Sequence, residues 1–86
     1  PGIPLRTNAK KPKKNEAFVL IKKRKDSFKN YYYLSKKNDL QQSAKNLYSL
    51  LRKIKNDGYK MIAVEKIQNK GIGKTINDRL NRASKY

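Results

Sequence analysis

The 86-residue sequence contains no cysteine and no histidine. Without cysteine there are no disulfide bonds, and without either residue type a zinc or copper site would lack its usual ligands. The absence of histidine also excludes this side chain as a general base or as the activator of a nucleophile within this chain. Only six residues are acidic, and they are scattered along the sequence, so we expect no carboxylate cluster for a hard cation.

Long apolar segments are missing as well. No apolar run approaches the roughly 20 residues that cross a bilayer, and the N-terminus lacks the apolar segment of a signal peptide. The sequence begins at Pro1 rather than at methionine, from which we expect a processed product or a piece of a longer protein. We therefore expect a cytoplasmic protein with no membrane partner.

Positive charge is the most prominent feature that the sequence does have. There are 23 lysine and arginine residues and a formal net charge of +17, which favours contact with nucleic acid or acidic membranes. Most of these cations are lysines, and they occur with many asparagines, isoleucines and tyrosines, all encoded by AT-rich codons. Two interpretations stay open, namely selected affinity for a polyanion and mutational bias on a solvated surface.

The spacing of apolar residues predicts two helices. Apolar residues recur at steps of three and four from Leu40 to Ile54, and Gly58 occupies the left-handed position that often follows a helix. Asn38 is the expected N-cap of this helix. A second stripe of similar spacing ends at Ala83 and predicts a helix that starts near Lys74.

Three shorter apolar runs, over residues 17–21, 31–35 and about 60–67, predict strands. In the second run, alternation places Tyr32 and Leu34 on one face and Tyr31 and Tyr33 on the other, where the tyrosines either shield the sheet or stack on RNA bases. The order β-β-α-β-α predicts an α/β fold with a small three-stranded, mostly parallel sheet covered by two main helices. The direction of the first strand stays open because its connection to the second is short.

Residues 1–15 are predicted to be a linker or tether, and residues 16–86 an accessory α/β domain. Three prolines restrict the tether to extended conformations, and a run of lysines gives it charge. A dedicated binding arm is the alternative interpretation.

Two glycines precede the last helix and suggest an anion site. Gly73-Lys74-Thr75 resembles the end of a phosphate-binding P-loop, but Gln68 stands where that pattern requires glycine, so the pattern fails. Gly71 and Gly73 still have two interpretations: they expose N–H groups that bind an anion, or they allow a tight turn.

Two groups of polar residues complete the candidates. One comprises cations at the exits of the first two strands, which could contact RNA phosphates: Lys22, Lys23, Arg24, Lys25, Lys36 and Lys37. The other lies on the last helix, where Asp78 and Arg82 are spaced to pair on the surface and Arg79 could instead face another domain.

The C-terminal segment Gly71-Ile72-Gly73, continued by Ile76-Asn77-Asp78-Arg79-Leu80 and by Arg82-Ala83, resembles the C-terminal domain of long-form threonylcarbamoyl-AMP synthases. The runs 44–52 and 62–64 and the start Pro1–Arg6, which is similar to the exit of the interdomain linker, extend the resemblance over the chain. The helix expected between the first two strands is shortened here to residues 26–30.

The resemblance implies a small three-layer, Rossmann-like domain that follows a YrdC-like catalytic domain absent from this chain. The parent enzyme would be a nucleotidyltransferase that uses ATP, threonine, bicarbonate and Mg²⁺ to make threonylcarbamoyl-adenylate for tRNA modification. This domain would be inactive alone, hold no cofactor, and dock on the catalytic domain to modulate closure of its active site. The residues proposed for docking or anion binding are Gly71, Gly73, Asn77, Arg79 and Arg82. A stand-alone basic module that binds RNA, including tRNA, is the alternative function.

Overall fold

The computed structural model describes residues 3–21, 24–35 and 39–84. These residues form four strands and two helices: β1 (Leu5–Arg6), β2 (Ala17–Leu20), β3 (Tyr31–Tyr33), α1 (Leu40–Asn56), β4 (Ile62–Val64) and α2 (Ile72–Ser84). The predicted α/β class and the two main helices are confirmed. Within the described ranges, no helix is long and apolar enough to cross a membrane.

The sheet has four strands, so the prediction of three was wrong in number. Its order is β1-β4-β2-β3, and every neighbouring pair is parallel. The additional strand lies in the predicted tether, where Leu5 pairs with Ile62 and Arg6 with Ala63. Two residues are too few to produce a periodic pattern, and this edge strand forms because β4 offers it a partner. The boundary proposed between a tether and a domain at residue 16 stays a prediction.

The direction of β2 relative to β3 is parallel, although the connection between them is short. Phe18 pairs with Tyr31 and Leu20 with Tyr33. The β1–β2 and β2–β3 connections run toward the β3 edge of the sheet and lie on one of its faces. The β3–β4 connection, which contains α1, runs in the opposite direction and lies on the other face. All three crossovers therefore have the same hand, as is usual in parallel sheets.

Both helices pack on one face of the sheet, which we call the helix face. The core there is one cluster of buried side chains from both helices and from the three longer strands and the residues that follow them: Ala17, Val19, Tyr32, Leu34, Leu47, Ile54, Ile62, Val64, Ile67, Ile76 and Leu80. Leu47 and Ile54 come from the predicted stripe of α1, and Ile76 and Leu80 from that of α2. The periodicity therefore predicted these buried positions, although Leu40 and Tyr48 of the predicted α1 stripe are exposed.

The opposite face, which we call the loop face, is covered without a helix. Phe18, Leu20 and Ala63 are fully buried there beneath connecting segments that include Ala9. The connection after β2 is too short to contain a covering helix, so loops replace the third layer that the family resemblance implied. Tyr31 packs edge-on against Phe18 at 5.3 Å between ring centroids, so this tyrosine shields the sheet.

α1 begins and ends at defined caps. Asp39 is the N-cap, and its Oδ1 accepts the N–H groups of Gln41 (2.9 Å) and Gln42 (3.2 Å). Asn38, the N-cap expected from the sequence, lies outside the described residues. Gly58 follows the helix with φ of +97°, the left-handed conformation expected of it.

Candidate functional site

The segment at the start of α2 contains Gly71 and Gly73, for which the sequence left anion binding and a tight turn open. The structure gives a conformational or steric reason for a glycine at each position. Gly71 has φ of +58°, and a Cβ atom on Gly73 would overlap the carbonyl oxygen of Gln68. The N–H of Gly73 donates to the carbonyl of Lys70 and that of Lys74 to the carbonyl of Gly71, both at 3.1 Å. The geometry therefore accounts for both glycines through the turn, and anion binding at this loop stays a prediction.

Asn77 holds the segment that follows β4. Its Nδ2 donates to the carbonyl oxygen of Ile67 at 2.9 Å and lies 3.5 Å from Oδ1 of Asn69. Since Ile67 is buried in the core on the helix face, this amide fixes the path of the chain between the sheet and α2.

Arg79 joins the two helices. Its Nη1 donates to the carbonyl oxygen of Ala44 in α1 at 2.9 Å, across 35 residues of sequence. Arg82 is exposed in the last turn of α2, where a cation interacts favourably with the helix dipole. A docking role for either arginine stays a prediction, and Arg79 already has a partner within the domain.

Of the six cations proposed for RNA contact, four lie outside the described residues, namely Lys22, Lys23, Lys36 and Lys37. Arg24 pairs with Glu65 at 3.0 Å, and its guanidinium lies 5.3 Å from the centroid of the Phe18 ring. Lys25 is exposed. Arg24 thus has partners within the domain, and RNA contact by the proposed cationic patch stays a prediction.

The carboxyl edge of a parallel sheet is where α/β proteins usually bind ligands. β4 and β2 are neighbours, and the chain leaves β2 toward the loop face but leaves β4 toward the helix face, which defines a topological switch point. Glu65 fills this position. Its Oε1 accepts the N–H of Ile21 at 2.7 Å, and its Oε2 accepts from Arg24.

The Glu65 carboxylate therefore accepts from the same N–H group and guanidinium that a bound anion would contact at this edge. Sequence reasoning missed this role because Glu65 was one of six scattered acids, 44 residues from its partner Ile21. Its position directly after a buried strand was the available signal.

A second buried carboxylate, that of Glu16, fastens the N-terminal segment to the sheet. Glu16 is only 1% exposed, and it accepts from Nε of Arg6 (3.0 Å), from Nη2 of Arg6 (2.8 Å) and from the N–H of Lys13 (2.7 Å). The hydrogen bonds from the Arg6 side chain lower the pKa of Glu16 further than its burial raises it. We call this arrangement the Arg6–Glu16 clamp. No sequence pattern pointed to it.

The amino edge of the sheet carries an open groove of about 340 Å³, lined by Asn15 and by residues 57–61. Asp57 in its wall accepts the hydroxyl proton of Tyr32 at 2.5 Å. The pKa of the Tyr32 hydroxyl is raised well above its ordinary value, mainly by burial and secondly by the hydrogen bond to Asp57. The carboxylate of Asp57 is therefore engaged in joining the end of α1 to β3.

The acidic groups are mostly used to stabilise the fold. Glu16 and Glu65 are ion-paired, Asp39 caps α1, and Asp57 is bonded to Tyr32. Within the described residues, no group of three or more Asp or Glu side chains could hold a metal ion. The described acids thus form neither a paired general acid and base nor a magnesium site.

Comparison with known proteins then supplies the family. No curated protein and no solved structure matches the chain significantly. The family model described as "threonylcarbamoyl-AMP synthase, C-terminal domain" matches residues 4–85. The match includes β1 and both glycines before Lys74, so it covers every described strand and both helices. The chain belongs to the family of threonylcarbamoyl-AMP synthase C-terminal domains.

Proposed function

We propose that this chain is a non-catalytic domain that docks on the YrdC-like catalytic domain of the same polypeptide and modulates closure of its active site. The observation that carries the proposal is the family match over residues 4–85. In addition, the carboxylates of Glu16, Glu65 and Asp57 have partners within the domain. In this proposal the domain contributes to the parent reaction through contact rather than through chemistry.

The chemistry belongs to the catalytic domain in this proposal. That domain, in the cytoplasm, would bind ATP, threonine, bicarbonate and Mg²⁺ and form threonylcarbamoyl-adenylate with release of pyrophosphate. The switch point of the present domain supports the division of labour, because the Glu65 carboxylate there already accepts from the N–H group and the guanidinium that a phosphate could use.

The direct test measures pyrophosphate release with ATP, threonine and bicarbonate. We expect no release by the 86-residue chain alone, release by the full synthase, and altered kcat or KM when the full synthase is shortened by this domain. Turnover by the isolated chain would contradict a non-catalytic role. Identical kinetics of the full and shortened enzymes would contradict modulation.

RNA binding is the second candidate function, and tRNA is the candidate partner. It is favoured by the net charge of +17 and by exposed lysines in the connection between β2 and β3, among them Lys25 and Lys29. Titration of the chain with tRNA and with an unrelated RNA of equal length, at two salt concentrations, separates the possibilities. Equal affinities that vanish near physiological salt would indicate only nonspecific charge.

A further inference from the structure

We propose that the catalytic domain docks on the amino edge of the sheet, on a surface centred on Met61. We define this amino-edge surface as Pro4, Asn15, Phe28, Lys60 and Met61. The inference rests on the proposed function, because it names the surface through which that docking occurs.

The polypeptide enters the domain at this edge. β1 runs parallel to β4, and the N–H of Ile62 donates to the carbonyl of Pro4 at 3.0 Å. Ile3 and Pro4 therefore lie beside the start of β4, next to Met61. Any domain that precedes Ile3 in the same polypeptide is joined at this edge, and a short connection keeps it near this surface at high effective concentration.

The described part of the entering segment is held against the sheet by side-chain hydrogen bonds. The Arg6–Glu16 clamp closes a loop of the chain, and Nη2 of Arg6 also donates to the carbonyl of Lys11 at 3.0 Å. Asn15, next to Glu16, consequently forms one wall of the amino-edge groove in a set position. A fixed entry segment transmits the position of one domain to the other, which a flexible tether would not do.

Exposed apolar side chains also lie near this edge. Phe28 and Met61 are 62% and 50% exposed, the highest values among the large hydrophobic residues of the described chain. Phe28 precedes β3 and Met61 precedes β4, so both lie toward the amino edge, two strand spacings or roughly 10 Å apart. The unbranched side chain of Met61 can adapt to a partner surface.

The groove beside Met61 also indicates the chemistry of its partner. The described lining of the groove carries two charges of opposite sign, the carboxylate of Asp57, which accepts the neutral Tyr32 hydroxyl, and the ammonium of Lys60. A complementary surface is apolar where it meets Met61 and carries a carboxylate opposite Lys60 and a cation opposite Asp57. In the described part of the carboxyl edge, the Glu65 carboxylate, the Arg24 guanidinium and the Ile21 N–H already have partners within the domain.

The closing experiment places a photoreactive benzophenone amino acid in the full-length synthase, at position 61 or at a control position. Tyr48 and Leu40 are the controls, since they are 45% and 36% exposed but lie on α1. After irradiation, cross-linked peptides are identified by mass spectrometry and the product is sized by denaturing electrophoresis. We expect position 61 to cross-link within one polypeptide to peptides of the catalytic domain, and the two controls to do so far less.

Each other outcome overturns the proposal in a recognisable way. Cross-links from position 48 or 40 but not from 61 would move docking to α1 and leave the proposed function intact. Covalent dimers from position 61 would assign the surface to a second copy of the chain. Absence of cross-links to the catalytic domain from all three positions would contradict docking at the amino-edge surface. The kinetics of the shortened enzyme would then test the proposed modulation independently.

A kinetic comparison separates docking from modulation. We expect Met61→Asp in the full synthase to lower kcat/KM for pyrophosphate release roughly fivefold or more, as when a charge replaces an apolar interface residue, and Tyr48→Asp to leave it unchanged. Circular dichroism of both variants checks that they fold. Cross-linking from position 61 together with unchanged kinetics of Met61→Asp would support the surface and contradict modulation.

Discussion

The Arg6–Glu16 clamp makes a prediction about acid stability that can be worked out in sign and size. Glu16 is buried and accepts three hydrogen bonds from Arg6 and one from the N–H of Lys13. In Glu16→Gln the negative charge is lost, and an NH₂ group faces donors that need an acceptor. Hydrogen bonds to charged groups each contribute about 1.5–3 kcal/mol, so we expect the free energy of unfolding near neutral pH to fall by about 2 kcal/mol.

The pH dependence follows from the direction of the pKa shift. The pKa of Glu16 is lower in the folded chain than in the unfolded chain, mainly because of the hydrogen bonds from Arg6. The stabilisation is therefore complete above the unfolded pKa, about 4.3, and is lost as the pH falls through the lower, folded value. The difference in stability between the wild type and Glu16→Gln should accordingly be largest at neutral pH and shrink in acid.

Urea unfolding followed by circular dichroism, at several pH values between about 7 and 3, measures this difference. Lys14→Gln is a suitable control, since Lys14 is exposed and close in sequence. A cost for Glu16→Gln that stays constant across this pH range would show that the lost stability is not electrostatic. A cost below about 0.5 kcal/mol at neutral pH, which is typical of surface substitutions, would refute the assigned role of the clamp.

Three further substitutions test the fold around α2 and the core, each by urea unfolding against the wild type. Gly73→Ala should destabilise the chain by about 3 kcal/mol because its Cβ would overlap the carbonyl of Gln68, and an unchanged midpoint would contradict the close approach. Leu47→Ala should cost about 2–5 kcal/mol, as expected for a fully buried leucine, and a loss under 1 kcal/mol would place Leu47 outside the core. Arg79→Ala should cost about 1–2 kcal/mol through the lost bond to Ala44, with Arg82→Ala as its exposed control; equal effects of the two would argue against that bond.

Sequence reasoning succeeded where a feature is local and repeated. The stripes on α1 and α2 recur every three or four residues, and Leu47, Ile54, Ile76 and Leu80 are buried as the spacing indicates. The alternation at β3 likewise placed Tyr32 beneath the helices. In both cases the periodicity of the backbone maps directly onto the buried face.

What the sequence did not reveal depends on contacts between distant residues. β1 has only two residues and exists through its pairing with β4, some 57 positions away in register. Glu65 reaches Ile21 across 44 residues, and the carbonyl that makes Gly73 necessary becomes visible only once the loop is folded. Such pairings carry no local pattern, so the residues that hold the candidate site together were seen only in three dimensions.

The carboxylate of Glu65 has a consequence for how this domain responds to its surroundings. An acceptor attached to the chain is present at an effective concentration on the order of millimolar or higher, whatever the cell contains. A free phosphate or nucleotide at lower concentration cannot compete with it for the Ile21 N–H and the Arg24 guanidinium. The described part of the carboxyl edge thus holds its shape with an acceptor of its own and needs no added anion to do so.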